Sequence, residues 1–339
     1  MRILVTGAGG FLGSRLVAHL LAYGYTGVRC LLRDRMKMER LQPLVPAYPN
    51  ARLDFIFGNL KSAQVAAQAV DGVDLIFHLA SAMKGSTADM FLDSVVASKN
   101  LLDAVTPNAR AIRIVLISSF GVYGVAGLPR GAVVNEHTPL EKHPEWRDPY
   151  SHCKLRQEQL FWEYRDRFGF QLVVLRPGVI YGPGGPQMSS RVGLNVFGVF
   201  LHLGGNNLLP LTYVDNCAEA AVLAAARDEA DGQVFNVHDD DLPTSSQYLR
   251  SYKRHVRNLR SIRVPYPAMI ALSNAVQWYH RWSKGQLPQV FTPYKTKTTW
   301  GGNRFDNAKL KSIGWKQAVP TTEGMRLALA SFRQQARFS

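Results

Sequence analysis

Cysteine is scarce in this chain of 339 residues. The three cysteines, Cys30, Cys153 and Cys217, are far apart and lack the spacing of metal ligands. We therefore expect no metal site. Each cysteine lies within a patterned segment, which is typical of reduced, buried thiols in a cytoplasmic protein.

Long apolar runs are missing as well. The apolar segment at the N terminus is too short for a signal peptide, and the late apolar segment 268–282 is short and carries polar side chains. We therefore expect no transmembrane segment. A hydrophobic content of 46% with 19% charged residues predicts a globular protein with an ample core.

Acidic residues are few relative to basic ones. The chain has 40 Lys and Arg but 25 Asp and Glu, which gives a formal net charge of +15. Three explanations are open: an anionic substrate such as a nucleotide sugar, peripheral contact with an anionic membrane surface, or a solvated face that aids solubility. The sequence has no recognisable nucleic-acid-binding module, so we expect no nucleic-acid partner.

Glycine is concentrated in the first turn of the chain. The apolar run 3–5 is followed by Gly7, Gly10 and Gly13, and apolar residues then recur at helical spacing. A strand, a glycine turn and a helix place unpaired N–H groups and the positive end of the helix dipole at one gap. The pattern therefore predicts a site for the pyrophosphate of a dinucleotide.

Strand and helix patterns alternate through the first half of the chain. This alternation predicts an α/β fold, a doubly wound parallel-sheet Rossmann fold whose ligands lie at the carboxyl ends of the strands. We place the dinucleotide-binding domain at 1–180. A smaller, mostly helical substrate-binding lobe follows at 181–339, with some segments returning to the sheet domain. A long helix is expected at 90–105 and a functional loop at 120–148.

Tyr150 and Lys154 are four residues apart at the start of a predicted helix, so both lie on one face. A nearby ammonium lowers the pKa of a tyrosine, whose free value of about 10 is too high for acid–base catalysis at neutral pH. Ser118 and Ser119 end the strand 112–117, where a hydroxyl can hydrogen-bond a reacting oxygen. Period alone does not decide which of these serines faces the site.

The sequence resembles the extended short-chain dehydrogenases/reductases over nearly its whole length. The motifs that carry the resemblance, in family order, are Thr6-Gly-Ala-Gly-Gly-Phe-Leu-Gly13, His78-Leu-Ala-Ser81, Ser118-Ser-Phe-Gly-Val-Tyr-Gly124, Tyr150-x-x-x-Lys154 and Arg176-Pro-Gly-Val-Ile-Tyr-Gly-Pro183.

The resemblance implies a role for each matching residue. Tyr150 would be the acid/base, Lys154 would lower its pKa and hold the nicotinamide ribose, and Ser119 would orient the substrate oxygen. The cofactor-binding residues that the resemblance implies are Gly7, Gly10, Phe11, Leu12, Gly13, Asn59, Leu60, Leu79, Ala80, Ser81, Pro177 and Val179, together with Tyr150 and Lys154.

The residues after the second strand depart from the pattern of NAD-preferring members. Those members commonly have an acidic residue that binds the ribose hydroxyls, whereas this chain has Leu32 followed by Arg33. A guanidinium suits a 2′-phosphate, so NADP is favoured over NAD. Asn59 replaces a frequent aspartate near the adenine.

The resemblance leaves the reaction and the substrate open. Phe120 and Gly121 stand where 4,6-dehydratases of the family usually carry Asp and Glu, which disfavours elimination. Our first hypothesis is an NAD(P)-dependent nucleotide-sugar epimerase or ketoreductase. The alternative is a 3β-hydroxysteroid dehydrogenase-like enzyme for a hydrophobic substrate, and a third is a non-catalytic cofactor-sensing protein. The resemblance also implies a homodimer through the helices near 90–105 and 150–168.

Overall fold

A computed structural model describes residues 1–196, 198–283 and 291–337 of the chain. In this part of the chain the strands are β1 Ile3–Thr6, β2 Gly27–Leu32, β3 Arg52–Phe57, β4 Leu75–His78, β5 Arg113–Ile117, β6 Val133–Val134, β7 Gln171–Pro177, β8 Val179–Tyr181, β9 Gly193–Val196, β10 Val199–His202, β11 Leu211–Tyr213, β12 Gln233–Val237, β13 Ser261–Arg263 and β14 Arg304–Phe305.

The helices connect these strands and dominate the last third of the chain. They are α1 Phe11–Ala22, α2 Leu44–Ala47, α3 Ala63–Val70, α4 Thr87–Phe91, α5 Ala97–Val105, α6 Pro149–Phe168, α7 Val214–Ala225, α8 Ser245–His255, α9 Tyr266–Trp282, α10 Pro293–Trp300, α11 Ala308–Ser312 and α12 Thr321–Arg337.

A seven-stranded parallel sheet organises the fold, in the order β12-β7-β5-β4-β1-β2-β3. The strand order reverses between β1 and β4, so a crevice opens at the carboxyl ends of these two strands. The prediction of a doubly wound parallel sheet with a helical C-terminal part is confirmed. The predicted nucleotide site lies at the reversal point because the glycine turn follows β1.

Alternate residues of each sheet strand pack on opposite faces. Val5 and Phe77 belong to the core that α1 and α7 cover, whereas Leu4 and Ile76 belong to the core beneath α3, α5 and α6. Both cores are almost free of solvent, as expected for a parallel sheet covered on its two faces. The three cysteines are free and buried, in agreement with the sequence.

The second half of the chain contributes to both parts of the molecule. β12 lies beside β7 in the large sheet, and α7 packs in the core that also contains α1. The remaining segments form small sheets, β13-β10-β9 and β11-β8, with helices around them. Among the described residues, no helix is long and apolar enough to cross a bilayer.

Two connections differ from the sequence prediction. The expected helix at 90–105 is present, but its hydrogen-bond pattern changes in a π turn at Leu92–Val96, between α4 and α5. The expected loop at 120–148 contains β6, which pairs with β14 from the end of the chain. Periodicity could not show the pairing of β6 with β14 because the two strands are about 170 residues apart.

Candidate active site

The glycine turn closes tightly at the end of β1. Gly7 has a φ of 70°, and its carbonyl accepts a hydrogen bond from the Gly10 amide at 2.9 Å. A Cβ at Gly13 would lie 2.1 Å from the same carbonyl oxygen, so only glycine fits there. Gly10 caps α1 without a side chain, which leaves the first N–H groups of α1, at Phe11 and Leu12, available to an anion.

The ends of β2 and β3 form a small polar cluster near this turn. Arg33 donates to the Asp93 carboxylate at 3.1 Å, and Lys61 pairs with the other oxygen of Asp93 at 3.2 Å. Asn59 accepts from the Lys61 amide at 3.0 Å, next to the buried Leu60. About half of the Arg33 side chain is exposed, so it can still meet a ligand.

The residues that follow β4 are hydrogen-bonded to the last residue of β1. The Thr6 hydroxyl accepts from the amides of Leu79 and Ala80 at 3.1 and 3.2 Å. Ser81 follows, and its hydroxyl lies 3.2 Å from that of Ser94. These contacts bring the backbone of 79–81 beside the glycine turn, since a Cβ at Gly7 would lie 3.3 Å from the Ala80 nitrogen.

The two serines at the end of β5 face different surroundings. Ser118 is buried and its hydroxyl donates to Glu158. Ser119 is partly buried, accepts from the Gly121 amide at 3.0 Å, and lies close enough to Tyr150 to lower the tyrosine pKa. The structure therefore brings Ser119, and not Ser118, to the tyrosine.

Tyr150 and Lys154 lie in the first turns of α6, which Asp148 caps by accepting from the Ser151 amide. Burial raises the pKa of Tyr150, and the nearby Ser119 hydroxyl opposes this shift. Burial lowers the pKa of Lys154 to about 7. The Lys154 ammonium donates to the carbonyl of Ile117 at 2.7 Å and to the side-chain oxygen of Gln157 at 2.8 Å.

Two residues that the sequence analysis missed, Gln157 and Glu158, form buried hydrogen bonds and an ion pair next to Ser118 and Lys154. Gln157 accepts from Lys154, and Glu158 forms a buried ion pair with Arg176 at the end of β7. Glu158 also accepts from Ser118. The spacing of Glu158, one turn after Lys154 on α6, was the available signal, but an i,i+4 pair on a helix is too common to single out.

The last part of the predicted cofactor site follows β7. Gly178 donates its amide to the Val237 carbonyl, and Val179 donates to the Pro210 carbonyl at 2.6 Å. A Cβ at Gly178 would lie 2.0 Å from that same Pro210 oxygen. The backbone of Pro177 to Val179 is thus held at the carboxyl edge of the sheet, along with the predicted residues after β1, β4 and β5.

The guanidiniums of Arg147 and Arg191 lie near the first turn of α6. Arg147 is buried and donates to the carbonyls of Gly121 and Tyr123 at 2.6 and 2.9 Å. Arg191 is mostly buried, and its side chain makes no hydrogen bond or ion pair within 1–196, 198–283 and 291–337. Burial and the charge of Arg147 lower the Arg191 pKa to about 10, and Asp148 opposes them.

Metal chemistry has no support among the described residues. No group of three or more His, Cys, Asp or Glu side chains is placed to hold an ion in the described ranges. The polar groups at the sheet edge are instead a hydroxyl, a phenol, an ammonium and backbone amides around a glycine turn.

Comparisons with known proteins identify relatives and structural neighbours that include sterol dehydrogenases and nucleotide-sugar epimerases. The chain is 27% identical to the sterol-4-alpha-carboxylate 3-dehydrogenase, decarboxylating, of Candida albicans over 96% of both chains. It is 29% identical to an uncharacterized UDP-glucose epimerase of Bacillus subtilis, over 70% of this chain and 76% of that one. The solved UDP-glucuronic acid 4-epimerase of Bacillus cereus, in complex with NAD, has the same fold, with a TM-score of 0.73, 20% identity and coverage of 99% and 100%.

The family model for the NAD dependent epimerase/dehydratase family matches residues 3–237, which include the glycine turn, Ser119, Tyr150 and Lys154. The match covers more than half of the chain, and the resemblance to the extended short-chain dehydrogenases/reductases is confirmed. The chain belongs to the NAD dependent epimerase/dehydratase family and is an extended short-chain dehydrogenase/reductase.

Proposed function

We propose that this enzyme exchanges a hydride between a nicotinamide cofactor and a carbon that bears a hydroxyl or carbonyl group, with Tyr150 as its acid/base. The observation that supports the assignment is the approach of the Ser119 hydroxyl to Tyr150, one helical turn before a buried Lys154. All three residues lie at the edge of the sheet where the glycine turn ends β1.

The residues present fit a dinucleotide. The turn has no room for a side chain at Gly13, and the first N–H groups of α1 have no side-chain cap. Gly7, Gly10 and Gly13 would meet the pyrophosphate, and the backbone of 79–81 and 177–179 would line the cofactor. When bound, the nicotinamide accepts or supplies the hydride.

Tyr150 moves the proton in this proposal. In oxidation the phenolate takes the proton of the substrate hydroxyl, and in reduction the phenol returns it to the carbonyl oxygen. Ser119 donates to that oxygen and holds it next to Tyr150. Burial raises the Tyr150 pKa, so a nearby cation is needed to favour the phenolate, and Lys154 is the cation one turn away.

NADP is the dinucleotide that the residues after β2 favour. Leu32 removes the acidic partner for the ribose hydroxyls, and Arg33 follows at the carboxyl edge of the sheet. The main chain of Lys37 also approaches the glycine turn, since a Cβ at Gly9 would lie 2.6 Å from its carbonyl oxygen. Asp93 competes for Arg33, but half of the Arg33 side chain stays exposed.

The substrate in this proposal carries an anionic group that pairs with Arg191. The Arg191 guanidinium has no hydrogen-bond or ion-pair partner in the described part of the protein, so it is available to an anionic group of a ligand. The charges of Arg147 and Asp148, which flank the first turn of the helix that carries Tyr150, both act on the Arg191 pKa.

A hydrophobic hydroxy or keto acid fits this arrangement best. The sterol-4-alpha-carboxylate dehydrogenase matches the chain over 96% of both proteins, including the part after residue 180 that would contact the substrate. Its name places a carboxylate on the carbon next to the oxidised one. In this chain, Arg191 would bind such a carboxylate while Ser119 and Tyr150 bind the oxygen.

A nucleotide-sugar epimerase or ketoreductase is the second candidate. Its support is the matching epimerase of Bacillus subtilis and the same unpaired Arg191, which would bind a phosphate. Arg147 is less available for a second phosphate oxygen because one of its nitrogens already donates to two carbonyls.

Thermal unfolding of the NADP-loaded protein separates the two classes. UDP- and GDP-sugars form one panel, and sterol carboxylates with long-chain 3-keto acids form the other. Stabilisation by the acids, followed by a change in nicotinamide absorbance on turnover, supports the first candidate. Stabilisation by nucleotide sugars alone would reject it in favour of the second.

Two further parts of the proposal concern the assembly and the compartment. We place the enzyme in the cytoplasm, consistent with its free, buried cysteines.

We also propose a homodimer through α5 and α6. The exposed side chains of these helices include the ion pair Lys99–Asp103, at 2.6 Å. Light scattering in solution tests the dimer, and a monomeric mass would contradict it.

A further inference from the structure

Helix α9 exposes an apolar stripe along its whole length. Residues 268, 271, 272, 275, 278, 279 and 282 fall within about one third of the helix circumference at 100° per residue. All seven are exposed in the structure, Trp278 by 67% and Trp282 by 70%. The residues of this apolar stripe are Ala268, Ala271, Leu272, Ala275, Trp278, Tyr279 and Trp282.

The opposite side of α9 already has a partner in the protein. Met269 and Ser273 are buried against α10, where the Ser273 hydroxyl lies 2.6 Å from that of Thr296. The helix is therefore anchored by one face. The apolar stripe does not contribute to this packing, and its exposure at three large aromatic side chains is unusual for a surface that meets water alone.

The chain around the stripe carries charge of one sign. Residues 242–305 contain eleven Lys and Arg and no Asp or Glu. The segment that leads into α9 exposes Arg254, Arg257, Arg260 and Arg263, and none of these forms an ion pair within the described ranges. Ile262, between two of these arginines, is itself 58% exposed.

We propose that the apolar stripe of α9 docks on an anionic phospholipid surface. Tryptophan and tyrosine on one helix face, without charge, match the boundary between headgroups and acyl chains. The arginines of the segment that leads into α9 would complement anionic headgroups, because basic residues next to an anionic surface favour binding to it. A second copy of the chain fits less well, because pairing two stripes would bring two unneutralised basic segments together.

Docking would bring the lipid surface close to the substrate lobe. α10 packs on α9, and the Trp300 indole of α10 donates to the Ser190 carbonyl at 3.2 Å, next to Arg191. The stripe is thus two packing layers from the residue that we assign to the substrate anion. This inference does not depend on the proposed reaction, because the surface is defined by exposure and charge alone.

Flotation of the full-length protein with vesicles tests the proposal. One set of vesicles contains phosphatidylcholine alone and the other includes about 25 mol% phosphatidylglycerol. Wild type is expected to float with the anionic vesicles and to show a blue shift in tryptophan emission. Trp278→Ser with Trp282→Ser should weaken this binding by about tenfold or more, and Arg257→Gln with Arg260→Gln should weaken it at low salt.

Two matched controls keep the test specific. Tyr23→Ser with Val45→Ser removes exposed apolar side chains from the sheet domain, and Arg110→Gln with Arg167→Gln removes two exposed charges there. Both controls should bind as wild type does. Equal flotation of the tryptophan variant and wild type would overturn the proposal. Failure of the wild-type protein to float with anionic vesicles would also overturn the proposal. A lower solution mass for the tryptophan variant than for wild type would overturn it as well, because it would assign the stripe to contact with a second copy of the chain.

Discussion

The Thr6 hydroxyl lies 2.9 Å from Nδ1 of His78 and joins the ends of β1 and β4. Thr6 already accepts from two backbone amides, so its own proton points to His78 and Nδ1 is the acceptor. Nε2 of His78 therefore carries the ring proton and donates to the Ser98 hydroxyl at 2.9 Å. The assignment fixes a neutral His78 in one tautomer.

This hydrogen-bond chain reaches the proposed active site. Gln157 donates to Ser98 at 2.7 Å and accepts from the Lys154 ammonium at 2.8 Å. A fully buried network thus connects the residue before the glycine turn to the lysine beneath Tyr150. The predicted cofactor turn and the proposed acid/base are therefore linked by one buried hydrogen-bond network, which favours a fixed relative position of the two.

Acid should destabilise the fold through His78. Burial lowers the His78 pKa to about 3, from about 6.5 in an exposed histidine. Between these values the folded state binds fewer protons than the unfolded state. The contribution is present above pH ~6.5 and is lost as pH falls toward ~3, at up to about 1.4 kcal/mol per pH unit. His78→Asn should show a shallower decline than wild type in urea unfolding.

The exposed His137 provides the control for this measurement. His137→Asn should leave the pH dependence of the unfolding free energy unchanged. Parallel curves for wild type and His78→Asn over the same pH range would show that His78 does not titrate as its buried position requires.

Of the carboxylates on α6, Glu158 is expected to cause the largest loss of unfolding free energy when it is replaced by an uncharged residue. It is fully buried, forms an ion pair with Arg176 and accepts from Ser118. Glu158→Gln leaves the buried guanidinium uncompensated, which costs about 3–5 kcal/mol of unfolding free energy when one partner of such a pair is removed. The exposed Glu163 on the same helix is the matched control, and Glu163→Gln should change stability by less than about 0.5 kcal/mol. Equal effects would contradict the role assigned to the pair.

Arg33 should decide between the two dinucleotides. Arg33→Ala removes a charge-assisted contact to the 2′-phosphate, so NADP affinity should fall by about tenfold or more while NAD affinity changes little. Calorimetric titration with both cofactors measures the difference. Arg52, exposed on β3 and paired with Asp54 at 3.1 Å, is the control residue. Equal losses for NADP and NAD would remove the argument for NADP.

Arg191 should set the requirement for an anionic substrate. Arg191→Gln is expected to raise KM for an acidic substrate by about 10- to 100-fold, the range of one lost charge-assisted hydrogen bond. An uncharged ester of the same substrate should react equally well with both proteins. Arg191→Lys should recover part of the loss. An unchanged KM in Arg191→Gln would place the anion elsewhere.

The sequence predicted the sheet and its glycine turn because both depend on local patterns. Gly7 and Gly13 are required by the turn itself, and strands such as β1 and β4 are apolar over their whole length. The parallel sheet with helices on both faces followed from the alternation of strand and helix. The position of the nucleotide site then followed from the sheet.

The supporting residues could not be predicted in the same way. Gln157 and Glu158 look like ordinary polar helix residues, and only packing shows that both are buried under the sheet edge. The same holds for Arg191, because only the folded structure shows that no carboxylate among the described residues pairs with its guanidinium. For the apolar stripe of α9, periodicity gives the helix but not the face that stays exposed.

Turnover by Tyr150→Phe tests the central claim most directly. With the substrate from the thermal panel, nicotinamide absorbance should show turnover reduced by about 10²- to 10⁴-fold, while calorimetry should give NADP affinity close to that of wild type. Tyr164→Phe, which removes from the same helix a hydroxyl that donates to Asp103 of α5, should retain full activity. A Tyr150→Phe variant that turns over as fast as wild type would contradict the assignment of Tyr150 as the acid/base.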